Sequence, residues 1–370
     1  MIHGRVPALV QRRLLRPHGI LSAELLRPGL SGALIFRCRD GAGRLYALRR
    51  WPAGTRARRL AEIHHVVTVA RQQGCQLVPR LFVAEPLDTA NAHAPPGENW
   101  QAESDGYRWD LSDWMPGSPL KIDATSEQIG LGCAAIASFH RAVEGLGERR
   151  GCPPAVIARI RRSSELNRQL PTLLRATASM GSHLVLPQGN PELASAIGAA
   201  LQLLRVHWTR VHAEIIRSMA SYENIAVPVQ YVLRDVHNEH LLFRSDQKTQ
   251  LPETTGPTGL IDFDAFRMDT PMTDLARWVG SFAAAPSDPT WEQAMAGYFE
   301  NSPSPLAGQA EHQILLARNL AEVSNWIGLG NWVVWVVADR RIFPIEPEAV
   351  AKRITKLVRF CRSGSLGGLR

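Results

Sequence analysis

The chain has 370 residues, of which 45% are apolar and 21% are charged. This balance is typical of one large domain or two lobes with a packed core, and it argues against disorder along the whole chain. The 42 Lys and Arg residues exceed the 34 Asp and Glu residues, which gives a formal net charge of +8. That charge permits an anionic partner such as a nucleotide or a nucleic acid without identifying one.

The five cysteines are scattered and form no C-x-x-C pair. This pattern argues against a disulfide framework or a zinc ribbon, and it favours a reducing, cytoplasmic location. No apolar run reaches the roughly 18 residues that a membrane helix requires, so no membrane partner is expected.

The first part of the chain predicts mostly strands. Residues 20–51 are typical of strands, with a hairpin turn at Asp40–Gly43. Apolar residues at helical spacing then predict a helix. In chain order we expect a strand at Ala33–Cys38, a strand at Arg44–Trp51, a helix at Arg56–Gln73, a short strand at Leu81–Ala84, a polar loop at Asp88–Asp105 and a strand at Tyr107–Trp114.

The rest of the chain predicts mostly helices, interrupted by short apolar runs at Val227–Leu233, Leu241–Phe243 and Gly259–Phe263. The expected helices are Ser126–Val143, Pro154–Leu174, Pro191–Ala220, Asp274–Ala284, Trp291–Phe299, Gly308–Val337 and Pro347–Cys361. We therefore expect an α+β fold with two lobes. A small β-rich N-terminal lobe would comprise residues 1–115, and a larger, mostly helical C-terminal lobe would comprise residues 116–370.

Ionisable groups concentrate where the interrupting apolar runs end. Asp235, His237 and His240 lie in the loop between the first two runs, and Asp262 follows the third. Polar groups between buried strands are costly unless they act on something. Two acids at strand ends can converge on one metal ion, and carboxylate and imidazole ligands suit Mg²⁺ or Mn²⁺.

Several short motifs occur together and in a consistent order. They are Leu233–Arg234–Asp235 with His240 five residues after the Asp, Ile261–Asp262–Phe263–Asp264, Asp274–Leu275–Ala276–Arg277, Ala135–His140, and a strand from Trp109 that ends at Pro116–Gly117. Over about residues 20–340 this arrangement resembles the kinase-like phosphotransferases, which include aminoglycoside phosphotransferases, choline kinases and homoserine kinase-like enzymes. The resemblance implies a bilobal protein-kinase-like fold, with ATP and Mg²⁺, or alternatively Mn²⁺, as cofactors.

The resemblance also implies roles for the acidic motifs. Asp235 would act as the catalytic base, and Asp262 would bind the metal ion. His240 would be the second metal ligand in place of the usual Asn, with Asn238 as an alternative. Asp274 would accept hydrogen bonds from backbone N–H groups of the catalytic loop, and His237 would contact the backbone of that loop. Asp264 and Asp269 would be further groups for the metal ion or the substrate, although solvated acids are the more ordinary interpretation of both.

Further residues would bind the nucleotide. Arg49 stands where the family carries a lysine on this strand, with Arg50 as the alternative, and Glu62 on the following helix could pair with Arg49. A loop containing Gly29 and Gly32 would cover the phosphates. The strand with Asp110, Leu111 and Trp114 would offer backbone groups to the adenine edge.

The favoured function is an ATP-dependent kinase that transfers the γ-phosphate to a hydroxyl of a small molecule. The Lys-to-Arg and Asn-to-His replacements support an alternative, a degenerate member that binds nucleotide or a partner without catalysis. A nucleic-acid-binding protein ranks last, because the arginines are dispersed and there is no zinc knuckle. The sequence makes no prediction of oligomeric state.

Overall fold

The structure is a computed structural model that describes residues 6–26, 32–86, 100–147, 149–178, 190–244, 255–282, 288–302, 310–364 and 366. Gly29 and most of the predicted polar loop at 88–105 lie outside the described residues.

Strands dominate the first part of the described chain, and short strands also occur in the second part. In chain order they are β1 (Ile20–Leu25), β2 (Leu34–Asp40), β3 (Leu45–Arg50), β4 (Gln101–Ser104), β5 (Tyr107–Asp113), β6 (Ser118–Pro119), β7 (Arg149–Gly151), β8 (Val227–Val232), β9 (Leu241–Arg244), β10 (Thr255–Leu260) and β11 (Arg267–Asp269). Short helical turns precede β1 at Ala8–Val10, Gln11–Leu15 and Arg16–His18.

Longer helices dominate the second part, and one further helix lies in the first part. In chain order they are α1 (Ala57–Gln72), α2 (Ser126–Val143), α3 (Pro154–Ala178), α4 (Pro191–Ala220), α5 (Met272–Val279), α6 (Thr290–Asn301), α7 (Ala310–Val333) and α8 (Pro347–Ser363). A π-helical turn at Val334–Ala338 continues α7.

The chain packs as two compact units. The first contains residues 1–120 and 239–264, and the second contains residues 121–238 and 265–370. The segment 239–264 groups with the first unit because β9 pairs with both β6 and β10, and because the N–H of Leu260 donates to the carbonyl of Leu77. The packing units therefore place segment 239–264 with the first part of the chain, whereas the predicted division at residue 115 places it in the second lobe. The division into two functional lobes stays a prediction.

The first unit is built on an antiparallel sheet of five strands in the order β1-β2-β3-β5-β4. The hairpin between β2 and β3 is stabilised by Asp40, whose carboxylate accepts hydrogen bonds from the backbone N–H groups of Ala42 and Arg44. Alternation along the strands directs Phe36, Leu48 and similar side chains into one apolar core. The opposite face of β3 carries Arg49 toward α1 and the β9–β10 pair.

The second unit joins helices to a small sheet in the order β11-β8-β7. Helix α2 begins with a capping box, in which the Thr125 side chain accepts from the Gln128 N–H while the Gln128 side chain accepts from the Thr125 N–H. The core of this unit includes Trp278 and Trp326, both fully buried. Trp332, on the same helix as Trp326, is also buried.

Two sequence-based expectations for the first unit are wrong. Gln101–Ser104 forms β4 although it was expected within a loop, because pairing with β5 satisfies backbone groups of a segment without strand periodicity. The expected strand at Leu81–Ala84 is reduced to a single bridge between Leu81 and Ser112.

No helix among the described residues is both long and apolar enough to span a bilayer. All five cysteines are free thiols, so the chain has no disulfide.

Close packing of α2 against α5 yields a stability prediction. A Cβ atom at Gly132 would clash with the fully buried ring of Trp278, whereas a Cβ at Gly198 on α4 meets nothing within 4 Å. Gly132→Ala should lower the free energy of unfolding by about 1–3 kcal/mol through overpacking. Gly198→Ala, the matched control, should raise it by about 1 kcal/mol through helix propensity. Urea denaturation of both variants tests this, and equal effects would contradict the packing interpretation.

Candidate functional site

The first unit contains a cavity of about 390 Å³. This volume lies within the roughly 300–1,000 Å³ of small-molecule sites. Its walls are mainly apolar, formed by residues such as Ile35, Ala47 and Val67, and the lining also includes a few polar groups. The polar or charged lining side chains are Arg49, His64, Asp110, Ser112, Asp113, His240 and Asp262.

Arg49 is the central cation of this lining. Its guanidinium lies over the Trp51 ring, 4.1 Å from the ring centroid. Its Nη2 atom lies 2.5 Å from Oδ2 of Asp264 and 3.4 Å from Oδ1 of Asp262. The side chain is only 15% exposed, so water screens these ion pairs weakly. Stacking and pairing together fix the direction of the guanidinium.

The expected pairing of Arg49 with Glu62 is wrong. Glu62 pairs with Arg59 at 2.9 Å on the same helix, and Arg59 also donates to the carbonyl oxygen of Asp264. The reason is local geometry: Arg59 lies one helical turn before Glu62, while Asp264 brings a nearer carboxylate to Arg49.

Asp262 and His240 are brought together by strand pairing. Leu241 of β9 pairs with Leu260 of β10, so the residues that flank these positions are neighbours. Nε2 of His240 lies 3.4 Å from Oδ2 of Asp262. Asp262 has a left-handed backbone with φ of 66°, a conformation that costs a non-glycine residue roughly 1–3 kcal/mol and is found most often at functional sites.

Asp264 is largely buried beside this pair, contrary to the expectation of a solvated acid. Burial raises the pKa of Asp264 to about 6, the neighbouring carboxylates of Asp262 and Asp110 add to the increase, and Arg49 opposes it. The short ion pair with Arg49 indicates that the carboxylate is ionised at neutral pH. Its Oδ1 atom is buried and has no hydrogen-bond partner within the described part of the chain.

These residues fit a divalent cation in part. Asp262 offers an exposed carboxylate, His240 an imidazole and Asp264 an unsatisfied oxygen. Within the described ranges, however, no three His, Cys, Asp or Glu side chains form a group that could hold a metal ion alone. The donor set therefore suits a cation such as Mg²⁺, which keeps waters and takes further oxygen ligands from a bound phosphate.

A buried polar pair went undetected in the sequence. His64 on α1 is 1% exposed, and its Nε2 lies 2.7 Å from Oδ2 of Asp110. The same oxygen accepts a hydrogen bond from Trp51 Nε1 at 2.7 Å. The only signal for this pair was a histidine within the apolar stripe of α1. The structure thus ties the Asp110 carboxylate to protein donors.

The other expected nucleotide residues differ in position. Trp114 lines the cavity, but Leu111 does not, because alternation on β5 directs its side chain into the core. The Leu111 carbonyl instead accepts from the N–H of Phe82. Gly32 has a left-handed backbone and precedes Ala33, which lines the cavity.

In the second unit, the loop after β8 is held by one carboxylate. Asp274 is 0% exposed and accepts hydrogen bonds from the backbone N–H groups of Leu233 at 2.8 Å and Arg234 at 2.5 Å. Its Oδ2 also lies 2.9 Å from His140 Nε2, and Nδ1 of that ring lies 3.0 Å from the Tyr298 hydroxyl. These are the backbone contacts expected of Asp274. They hold Arg234 in a left-handed conformation with φ of 65° immediately before Asp235.

Asp235 is paired rather than isolated. Its Oδ1 accepts a hydrogen bond of 2.7 Å from Nε of Arg277, and both side chains are about half exposed. His237 is half-buried in the same loop. Asp269 is fully buried, which corrects the expectation of a solvated acid: its carboxylate accepts from the N–H groups of Ala155, at the start of α3, and Thr270. Burial raises the pKa of Asp269, and these two donors oppose the increase.

Residues 24–311, well over half of the chain, match the model of the phosphotransferase enzyme family. The chain belongs to this family. The predicted resemblance to kinase-like phosphotransferases is thereby confirmed. No curated protein matches the chain in sequence.

Solved structures of phosphotransferases share the fold. Spectinomycin phosphotransferase in complex with ADP and spectinomycin aligns with a TM-score of 0.58 at 10% identity, covering 95% of each chain. An amicoumacin kinase in complex with AMP-PNP and Ca²⁺ aligns with a TM-score of 0.55 at 10% identity, covering 95% of this chain and 90% of that one. A microcompartment-associated aminopropanol kinase aligns with a TM-score of 0.50 at 16% identity, covering 92% and 90%. The predicted α+β kinase-like fold, with a β-rich first part and a helical second part, is confirmed.

The role of Asp274 in this family member can be measured through stability. Asp274→Asn keeps the size of the side chain but removes the buried charge that two backbone N–H groups and His140 contact. We expect unfolding free energy to fall by about 3 kcal/mol, because breaking a buried charged network leaves its partners unsatisfied. Asp339→Asn, on an exposed residue, is the control. A loss below 0.5 kcal/mol, roughly that of a surface substitution, would show that the loop is held by other contacts.

Proposed function

We propose that the chain is an ATP-dependent kinase that transfers the γ-phosphate to a hydroxyl group of a small molecule. The observation that carries the proposal is the cavity of the first unit, where apolar walls meet Arg49, Asp262 and His240. An apolar slot with a cation and metal-ligand side chains at one part of its lining suits a nucleotide base together with a cation-bound phosphate chain. Family membership supports the phosphotransfer chemistry.

Arg49 would neutralise nucleotide phosphate oxygens. Trp51 and Asp264 hold its guanidinium in a fixed direction, so little side-chain entropy remains to be lost when phosphate binds. A phosphate group would compete with the two carboxylates for the guanidinium donors.

Asp262 and His240 would hold a divalent cation, Mg²⁺ or Mn²⁺, and such an ion offsets negative charge on phosphate oxygens when bound. Asp264 Oδ1, which is buried and has no partner among the described residues, is a further oxygen available to this cation or to one of its waters.

Asp235 would orient the acceptor hydroxyl and accept its proton. Phosphoryl transfer depends mainly on positioning and charge neutralisation, so one well-held carboxylate is sufficient for this role. Asp274 fixes the backbone of the loop that carries it. Arg277 fixes the side chain by its hydrogen bond to Oδ1. We also propose a cytoplasmic location, which agrees with five free thiols.

Substitutions of the two acids should separate chemistry from nucleotide binding. Asp235→Asn should lower kcat by about 100- to 10,000-fold while leaving ATP affinity nearly unchanged. Asp262→Asn should instead remove the part of the thermal stabilisation by ATP that depends on Mg²⁺. At about a hundred times Kd, ATP with Mg²⁺ should stabilise the native protein by about 2.7 kcal/mol. Thermal-shift and ADP-release assays provide both readouts, and the absence of any stabilisation by ATP and Mg²⁺ would overturn the proposal.

One observation favours the second candidate, a nucleotide-binding member without catalysis. Arg49, which stands in place of a lysine, is already engaged by two carboxylates of its own unit. If those carboxylates retain the guanidinium, it does not reach the phosphates. ATP binding without turnover of any hydroxyl acceptor would favour this candidate.

A pair of arginine variants on β3 tests the role of Arg49. Arg49 lines the cavity, whereas Arg50 lies 4.2 Å from the centroid of the Tyr107 ring and does not line it. Arg49→Ala should weaken ATP binding by about 10- to 100-fold, the equivalent of one charge-assisted contact, and Arg49→Lys should restore part of it. Arg50→Ala, the matched control, should leave ATP affinity unchanged. Isothermal titration calorimetry measures the affinities, and equal effects of the two alanine variants would contradict the assigned role.

A further inference from the structure

Three arginines of the second unit surround the loop that carries Asp235. Arg277 contacts Asp235 directly, Arg234 precedes it in the chain, and Arg159 lies on α3 close enough for both to lower its pKa. Their arrangement determines which charge a molecule meets when it approaches Asp235 within this unit.

Arg277 is only partly used by the protein. Its Nε atom donates to Asp235, and within the described part of the chain its two terminal nitrogens make no hydrogen bond. The side chain is 49% exposed. A guanidinium with two adjacent free terminal N–H groups matches the geometry of a carboxylate or phosphate.

Arg234 is placed at a conformational cost. Its φ of 65° lies in the left-handed region, which glycine adopts without strain. Nε of Arg234 lies 3.3 Å from Oδ2 of Asp269, and that oxygen has no hydrogen-bond partner, so the ion pair is loose. Among the described residues the Arg234 side chain donates no hydrogen bond, and its donors remain available to a ligand.

Arg159 adds positive potential from within the unit. Its guanidinium is largely buried and donates to the Ser324 hydroxyl and to the carbonyl oxygens of Ala155 and Leu320, with no carboxylate among its hydrogen-bond partners. Burial lowers the pKa of Arg159 to about 10, the neighbouring carboxylate of Asp269 opposes this decrease, and Arg234 and Arg277 add to it. It therefore remains charged at neutral pH.

The nearby carboxylates contribute less at the surface. Asp269 and Asp274 are both 0% exposed, and backbone N–H groups occupy oxygens of each. Asp235 is the exposed acid of this group, and Arg277 already offsets its charge. Among Arg234, Arg277, Asp235, Asp269 and Asp274, two partly exposed guanidinium groups thus accompany one partly exposed carboxylate.

We infer that the acceptor, whose hydroxyl proton Asp235 would accept, is an anionic small molecule. Its carboxylate or phosphate would bind Arg277 and Arg234. This inference rests on the proposed function and specifies its substrate class. A cationic acceptor would meet like charge from the same two side chains, and a neutral acceptor would leave their free donors without a partner.

Four probes with a common carbon skeleton test the charge preference. They are D-glycerate, sn-glycerol 3-phosphate, neutral glycerol and cationic 3-amino-1,2-propanediol, and their binding is measured by ligand-observed NMR at constant ionic strength. We expect one or both anions to bind at least about 10-fold more tightly than glycerol and the amine. Preference for glycerate or for glycerol 3-phosphate would distinguish a carboxylate from a phosphate acceptor. Equal binding, tighter binding of the amine, or no binding by either anion would overturn the inference.

Variants of the two arginines identify the site. Arg277→Gln and Arg234→Gln should each weaken anion binding by about 10- to 100-fold, and Arg277→Lys should retain part of it. Arg217→Gln is the matched control, because Arg217 is an exposed arginine that pairs with Glu214 on α4. Circular dichroism verifies that each variant is folded. Anion binding that survives in both glutamine variants would also overturn the inference.

These measurements distinguish a failure of the kinase proposal from a failure of the anionic-acceptor proposal. Stabilisation by ATP and Mg²⁺ is measured on the same preparations without any acceptor. If ATP stabilises the protein but the amine is the preferred probe, the anionic acceptor is wrong and the kinase proposal stands. If anions bind through Arg277 and Arg234 but ATP gives no stabilisation, the kinase proposal fails while the anion site remains.

Discussion

The buried carboxylate of Asp274 fixes the conformation of one loop in the second unit, because it accepts hydrogen bonds from backbone N–H groups of the loop that follows β8. Such groups cost free energy when buried without a partner. Asp274 accepts from Leu233 and Arg234 and is itself oriented by His140, which contacts Tyr298. This chain of contacts explains how Arg234 can remain in a left-handed conformation and place Asp235 at the surface. The conformation of this loop therefore depends more on its hydrogen bonds to Asp274 than on the loop's own sequence.

The first unit meets a related problem with charge. Arg49 lies within ion-pair distance of both Asp262 and Asp264, and all three side chains are only partly exposed. An isolated buried charge would be unstable, and each of these groups compensates another. The arrangement still leaves Asp264 Oδ1 without a donor. In both units, the residues proposed to act on a ligand are those whose polar capacity the protein itself does not fully use.

The patterns that could be predicted from sequence are local ones. Helices such as Ser126–Val143 and Pro191–Ala220 were predicted with the observed bounds, because periodic apolar residues and clear start signals define them. The acids at the strand ends were also visible, since polar side chains that interrupt apolar runs stand out. Strand β4 was missed because its pairing with β5, rather than its own residues, makes it a strand. The burial of the Leu111 side chain in the core was not visible, because the motif identified the strand but not which face each residue occupies.

By itself the sequence determined the family, the division into a β-rich first part and a helical second part, and the short set of acids and arginines on which the proposed chemistry depends. Tertiary structure decided the partners: Asp264 rather than Glu62 for Arg49, Arg277 for Asp235, and Asp110 for His64. The physical reason is that periodicity and turn chemistry act over a few neighbouring residues. Ion pairs and hydrogen bonds instead require atoms to meet within about 3 Å, and residues far apart in the chain reach that distance only through packing.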